Sequence, residues 1–420
     1  MRVLHIADVH LDTPFPGRTE AVRQRLQDAS REALRRCFHT ARRERVDAVV
    51  IAGDLFDGSR LSFGTERFLL EEMSALDQAG ISVIYATGNH DAVGDRGRPT
   101  ELEWPPNVTV AAGLPPVRVA IRDPEGEVRG HVTAAGHGTS REMRDLSAQF
   151  PKSAGEGPEV AVLHTQVEAA RSGERHGKYA PSNLDHLRSL GYEYWALGHV
   201  HQRQVLSESP WVCYAGNPQG RTFNETGAKG CILVDLSGER GTQITFHETS
   251  VVRFEVLKVR GLEEQATLDR LLGHIEATWT AERLADAFRD DAEWIIRVEL
   301  EGPTPLSGLL RHPEERDTLA DELQARLGAL SVDVWTQATH PVVSIEQHAG
   351  RQDSLGEALR LLGLINAGRM DVAKIAPHEL VGHDPESGES REAYLLSLLD
   401  GASGEVIARM LAAIREGDGS

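Results

Sequence analysis

The sequence predicts an α/β fold: two packed β-sheets flanked by helices, followed by a compact α+β module and a helical C-terminal region. Three observations carry this. Up to about residue 90, short β-branched apolar runs alternate with stretches of helical periodicity, the β-α-β-α-β order of a parallel core. After residue 107, strand-length apolar runs dominate, which supplies a second sheet. From residue 251 the pattern becomes strand-helix-strand-helix-strand, and from 346 only helical stripes remain. The expected organisation is therefore 1–250, 251–345 and 346–420.

In order, Val3–Ala7 reads as a strand, and Val22, Leu26, Ala29, Ala33 and Cys37 fall at helical spacing within 20–45. Asp47–Ala52 (DAVVIA) is the β-branched run of a strand covered on both faces. A second helical pattern covers 65–79, and Ile81–Thr87 (ISVIYAT) is another buried strand. Seven further strands follow: VTVAA, VRVAI, VRGHVTAAG, EVAVLH, YWALGH, WVCYAG and GCILVDL. In the second module FEVLKV, EWIIRVEL and VDVWTQ are strands, with helices at 263–280 and 313–329. The last part carries apolar stripes in SLGEALRLLGLI, REAYLLSLLDG and EVIARMLAAI, with a polar loop around Pro377 and Pro385.

Composition sets the outer limits. The 420 residues suit two or three domains, and 40% hydrophobic content is ample for a core. No stretch approaches the ~20 apolar residues of a membrane span. The opening MRVLHIADVH has no apolar h-region and is not expected to be a signal peptide. Cys37, Cys213 and Cys231 are too few and too scattered for a disulfide framework, so a reducing, cytoplasmic location is expected. Against 64 acidic residues stand 45 basic ones, a net charge of −19, which opposes broad nucleic-acid binding through phosphate neutralisation. A local basic surface or a metal-centred phosphate site is still compatible with it.

Five strand ends carry the chemistry. The first ends in Asp8-Val9-His10, the second in Gly53-Asp54, the third in Gly88-Asn89-His90-Asp91, a later one in His164, and another in Gly198-His199-Val200-His201. Singly, each has an ordinary explanation: a G-D pair makes a turn, and a lone histidine is a satisfied core residue. Jointly they lie past the carboxyl ends of predicted strands, where α/β sheets gather ligands. Carboxylate, imidazole and amide oxygen without thiolate suit Mn²⁺, Fe or Zn²⁺ rather than Ca²⁺. Asp54 is suited to bridge two cations, since each carboxylate oxygen can serve one. Such a pair activates water and stabilises a leaving oxygen.

The ordered motifs D-x-H, G-D-x-x-D, G-N-H-D, H and G-H-x-H resemble those of the calcineurin-like metallophosphoesterases over about residues 1–250. The opening HIADVHLDTPF and the run YAGNPQGRTFNETGAKG (214–230) look more narrowly like the SbcD/YhaO-type DNA-repair exonucleases, relatives of the meiotic-recombination nuclease. The resemblance implies an αββα sandwich and two divalent metal ions, usually Mn²⁺, with Mg²⁺, Fe or Zn²⁺ as alternatives. Asp8, His10 and His201 match the ligands of the first metal, Asp54 the bridge, and Asn89, His164 and His199 those of the second. His90 matches the histidine that approaches the scissile phosphate, with a hydroxide held by the metal pair as nucleophile. Asp57 occupies the position from which an acid orients that histidine; otherwise it caps a turn. Asp12 and Asp91 stand open between a supporting and a turn-capping role.

The same resemblance implies a capping domain at 251–345, DNA as substrate, an SMC-like ATPase (SbcC/YhaN type) as partner, and a homodimer; the C-terminal helical stripes either dock on that ATPase or pack on their own domain. No phosphate-binding G-x-x-x-x-G-K-[ST] loop occurs, so ATP chemistry would need that partner. GNHD, with no Arg-Gly after Asp57, departs from the Ser/Thr protein phosphatases. Candidate DNA contacts are Arg171, Arg175 and Lys178, which follow the His164 strand, and Arg221, which serves equally as a hairpin ion pair. The arginines of 18–45 read first as the solvated face of a helix. Two rivals remain: a phosphoesterase for small phosphodiesters or cyclic nucleotides, favoured by 5% aromatic content, and a DNA-end and ATPase-binding scaffold with a vestigial site.

Overall fold

A computed structural model describes every residue except 58–60, 97–100, 171–178, 237–240, 286–291, 343–347, 349, 375–393, 397, 400–405, 408–409 and 411–420. The chain divides into two compact units, Met1–Glu255 with Arg289–Ile295, and Val256–Phe288 with Ile296–Ser420.

The first unit contains β1 (Arg2–Ile6), α1 (Glu20–Arg43), β2 (Ala48–Ala52), α2 (Phe63–Gln78), β3 (Ser82–Ala86) and β4 (Val108–Ala111). There follow β5 (Val117–Arg122), β6 (Val128–Ala135), β7 (Glu159–His164), α3 (Leu184–Ser189), β8 (Tyr194–Gly198), β9 (Gln204–Glu208), β10 (Trp211–Tyr214), β11 (Gly230–Asp235) and β12 (Gln243–Glu248). One six-stranded sheet has the order β12-β11-β1-β2-β3-β4, the other β5-β6-β7-β8-β10-β9. Strands β1 to β4 pair in parallel, and so do β6, β7, β8 and β10. Antiparallel strands close the flanks: β11 and β12 on the first sheet, β5 and β9 on the second.

The period-2 alternation of each strand divides the core into layers. Inward residues of the first sheet, Val3, Ala48, Val50, Ala52 and Ile84, meet Val132, Ala134, Val160, Val162 and Ala196 of the second. Outward residues Leu4, Ile6, Val49, Ile51 and Val83 pack under Leu34 and Phe38 of α1 and Leu69 and Met73 of α2. On the far side, Leu163, Trp195 and Leu197 pack against Phe150 and Leu187. Both faces of the central strands are therefore buried, as the continuous apolar runs require. Thr19 caps α1 by accepting from Val22 N, and Ser62 caps α2 by accepting from Thr65 N.

Two strands were not legible in the sequence. Both β9 and β12 are outer strands with half-exposed polar alternation, QVLSE and QITFHE, which an apolar-run criterion passes over.

A third sheet has the order β13 (Val252–Val259)-β14 (Glu293–Pro303)-β15 (Ser331–His340), and the second unit also carries α4 (Leu268–Ala285) and α5 (Pro313–Leu327). Helix α4 begins five residues later than the periodicity suggests, after Thr267, whose hydroxyl accepts from Arg270 N. Pro313 opens α5, and Gly328, at φ 62°, ends it. Of the three C-terminal stripes, the first is helix α6 (Ser354–Asn366), capped by Asp353. The other two, and the loop around Pro377 and Pro385, lie mostly or wholly outside the described residues. No helix among the described residues is long and apolar enough to cross a membrane.

Candidate metal centre

The loops leaving β1, β2, β3, β7 and β8 meet at one edge of the sandwich. The first two run on side by side: Asp8 N donates to Gly53 O (3.1 Å), His10 N to Asp54 O (2.9 Å) and Leu11 N to Leu55 O (3.1 Å). Asp8, His10, Asp54 and His199 all have positive φ, between 50° and 102°. Each such non-glycine residue costs on the order of 1–3 kcal/mol, a strain that folds tolerate chiefly at functional sites. Two glycines make the approach possible. A Cβ on Gly53 would sit on the His164 ring, and one on Gly88 would overlap the Asp54 carboxylate.

All seven candidate metal-ligating residues from the sequence converge here, and three overlapping donor groups form: Asp8-His10-His201, Asp8-Asp54-His164 and His10-Asp57-His90. His164 Nδ1–H donates to Ala52 O (2.9 Å), so its Nε2 carries a lone pair. That lone pair faces Asn89 Oδ1 at 2.9 Å and Asp54 Oδ2 at 3.4 Å. His201 Nδ1–H donates to Glu225 Oε1 (2.6 Å), which turns its Nε2 toward His10 Nε2 at 3.2 Å. His10 Nε2 is also 3.6 Å from Asp54 Oδ2, while its buried Nδ1 has no hydrogen-bond partner. Asn89 Oδ1 completes the set 3.2 Å from His199 Nδ1, and Asp8 accepts from His199 N (2.9 Å).

Burial depresses His10 and His164 well below the ordinary histidine range, which keeps them neutral. Burial, and then the Asp54 charge, raise Asp8 well above the ordinary carboxylate value. Buried acceptors turned on one another without intervening protons are unfavourable by themselves. A cation among them resolves the conflict, and the O/N donor set fits divalent metal ions.

His90 stands beside this cluster. Its backbone N–H donates to Asp54 Oδ1 (2.8 Å), and its Nδ1 is 2.7 Å from Asp57 Oδ1. Burial works against its charge, but the Asp57 hydrogen bond and the carboxylates of Asp54 and Asp57 raise it to about 9. Asp57 is lowered despite its burial, by the same bond.

The open assignments resolve differently. Asp91 is buried and accepts from Leu55 N and Gly88 N (2.6 Å each) and from the Tyr85 hydroxyl, tying the Asp54 and Asn89 loops together. Asp12 accepts from Ser62 N (2.7 Å), Thr65 Oγ1 and Arg31 Nη2 (3.1 Å), so it brackets α1 and α2. Arg221 lies between Asp57 and Glu225. Many arginines of α1 are ion-paired: Arg25 with Glu293, Arg31 with Asp28 and Asp12, Arg35 and Arg42 with Glu72, and Arg36 with Glu32. Arg171, Arg175 and Lys178 lie outside the described residues.

Three residues that contact the cluster were missed in the sequence. Glu225 holds His201. Lys229 Nζ donates to His201 O (3.1 Å), and the His137 ring nitrogen Nε2 is 2.8 Å from His164 O. All three are buried.

Comparison with known proteins agrees with this geometry. Residues 1–203 match the family model "Calcineurin-like phosphoesterase", and 254–340 match "Metallophosphoesterase YhaO, middle domain". The chain is 32% identical over 326 residues to the uncharacterized metallophosphoesterase YhaO of Bacillus subtilis, covering 77% of this chain and 76% of that protein. It is 27% identical over 390 residues to the DNA double-strand break repair protein Mre11 of Aeropyrum pernix (89% of this chain, 87% of the relative). It has the same identity, over 390 residues, to the SbcD component of the SbcCD nuclease of Escherichia coli (79% of this chain, 91% of the relative).

Proposed function

Since this chain belongs to the calcineurin-like phosphoesterase family, we propose that it is a two-metal-dependent phosphodiesterase that cleaves DNA during end processing and repair. The observation that carries the reading is the inward-facing set of carboxylate, imidazole and amide donors beside a His90–Asp57 pair. The DNA assignment rests on similarity to the named repair and nuclease proteins over most of the chain.

In this reading Asp8, His10 and His201 would hold one cation and Asn89, His164 and His199 the other, with the Asp54 carboxylate serving both. The cations, when bound, supply an activated water and neutralise charge on the phosphoryl oxygens. Ala52 O and Glu225 each fix a histidine tautomer, so that Nε2 presents its lone pair without reorganisation. Asp57 holds Nδ1–H of His90, which leaves Nε2 as the nitrogen that carries a proton toward the departing oxygen. Asp91 keeps the two acidic loops in register. Mn²⁺ is the expected metal. The protein is expected in the cytoplasm, with DNA and an SMC-like ATPase as partners and a homodimer as the assembly.

A second reading, hydrolysis of small phosphodiesters, draws support from the net charge of −19 and from the ion pairs that occupy many α1 arginines. One assay separates the two. Purified protein with Mn²⁺ is given end-labelled linear duplex DNA, hairpin DNA and bis-p-nitrophenyl phosphate, with His90→Ala as control. Cleavage of all three, lost in the variant, supports the nuclease reading. Hydrolysis of the small diester alone, unchanged when an SMC-like ATPase is added, overturns it in favour of the second.

A further inference from the structure

His201 and His90 follow strands of different sheets, yet each leans on a carboxylate, and one guanidinium lies between those carboxylates. Glu225 Oε1 accepts Nδ1–H of His201 at 2.6 Å. Its other oxygen accepts from Asn217 Nδ2 (2.8 Å) and from the backbone N–H of Arg221 (2.7 Å), so the carboxylate cannot rotate without losing bonds. The Arg221 side chain is only 13% exposed. Its Nη2 is 3.5 Å from Glu225 Oε1, and its Nη1 is 3.6 Å from Asp57 Oδ2 and 3.5 Å from Thr13 Oγ1.

We propose that Glu225 and Arg221 are positioning residues. Glu225 locks His201 with Nε2 toward the metal site. Arg221, standing between Glu225 and Asp57, fixes the separation between the carboxylate behind a metal ligand and the carboxylate behind the proton donor. The inference rests on the metal-dependent phosphodiesterase reading.

An imidazole binds a metal through one nitrogen only if the other holds its proton, and the acceptor behind it sets that choice. Two carboxylates sharing a buried surround repel each other, and a planar guanidinium with five donors can hold both at once. Lysine offers the charge but not the fork, so it can substitute only in part. The segment that supplies these groups, Asn217 to Lys229, encloses His201 through Asn217, Arg221, Glu225 and Lys229.

The test uses the full-length chain. Mn²⁺ binding to metal-free protein is measured by calorimetry, and hydrolysis of bis-p-nitrophenyl phosphate is followed at saturating Mn²⁺. Glu225→Gln places an amide N–H₂ against one of the existing donors, so Mn²⁺ affinity is expected to fall about 10–100-fold, with hydrolysis recovering as Mn²⁺ is raised. Arg221→Met is expected to lower kcat about tenfold or more with KM unchanged, because a displaced His90 slows the reaction without weakening substrate binding. Arg221→Lys should recover part of that loss. Should Glu225→Gln fail to give a cooperative melt, Glu225→Asp, which keeps the charge and shortens the reach, replaces it with the same expectation. Unaltered Mn²⁺ affinity in the Glu225 variant overturns the proposal. So does an Arg221→Met variant with raised KM and intact kcat, which would make Arg221 a direct phosphate contact. A parent protein that binds Mn²⁺ but hydrolyses no phosphodiester sinks the functional reading, while the calorimetric comparison still decides the role of Glu225.

Discussion

A buried histidine between the sheets and three at their carboxyl edge differ in one respect. His5, in β1 between the two sheets, has both ring nitrogens satisfied: Nδ1 is 2.9 Å from the Tyr194 hydroxyl and Nε2 is 3.1 Å from Leu197 O. His10, His164 and His201, at the carboxyl edge, keep one nitrogen turned toward another acceptor or another imidazole. All four are buried. Burial therefore does not separate a structural histidine from a candidate metal ligand. What separates them is whether the protein itself completes the hydrogen bonds. The interior is finished by folding, whereas the edge, in the proposed function, would be completed by a cation.

The sharpest way to break the contrast is to remove the shared acid. Asp54→Ala takes away the carboxylate that approaches both His10 and His164 and that holds His90 N. Hydrolysis is expected to fall by about 10³-fold or more, together with loss of Mn²⁺ in calorimetry. Retained metal stoichiometry would show that Asp54 is not a bridge. Next in size, His90→Ala should cost about 10²–10⁴-fold in rate while the metal content, read by elemental analysis, stays as in the parent. Loss of metal in that variant would move His90 from proton donor to ligand.

Much of this arrangement was legible in the sequence, and the limits have a physical origin. Strand ends with Asp8, Asp54, Asn89 and His199 declared themselves because a parallel strand brings its last residues to a common edge, and Gly before an acid or amide admits the tight approach seen at Gly53 and Gly88. Glu225 gave no such signal. It lies 24 positions beyond His201, on a segment whose course depends on Asn217 and Gln219, and no periodicity links the two. Asp12 and Asp91 look alike in sequence, one residue or two past a histidine; only tertiary partners make one a helix bracket and the other a loop tie. The arginines of α1 read in the sequence as the solvated face of a helix, and many of them are paired there with Glu72, Glu32 and Glu293; which acids they meet is set by the tertiary fold.

A smaller effect sharpens the comparison from the side of stability. If the edge is completed by a cation, metal added to the metal-free protein should raise its melting temperature, since a ligand at 100 times its Kd contributes about 2.7 kcal/mol per site. His5→Gln should respond to metal as the parent does, because His5 has no part in that site. A metal-insensitive parent would mean that the edge acceptors are satisfied without an ion.

The smallest effect concerns pH and belongs to the interior alone. Burial lowers His5 from 6.5 to about 3, only partly opposed by its bond to Leu197 O. A histidine depressed in the folded state stays neutral there while the unfolded chain takes up a proton. Its contribution is therefore complete above pH 6.5 and is lost as the pH falls toward 3, at about 1.4 kcal/mol per pH unit. His10 and His164 add to the same slope in metal-free protein, so the measurement must be a difference. His5→Gln can still donate to Leu197 O and accept from Tyr194, but it does not titrate. Urea unfolding of parent and variant at pH 7, 6 and 5, both metal-free, should show the variant gaining on the parent by about one proton's worth of slope below pH 6.5. Parallel curves would mean that His5 takes up its proton in the fold at the same pH as in the unfolded chain, and that its two hydrogen bonds do not hold it neutral.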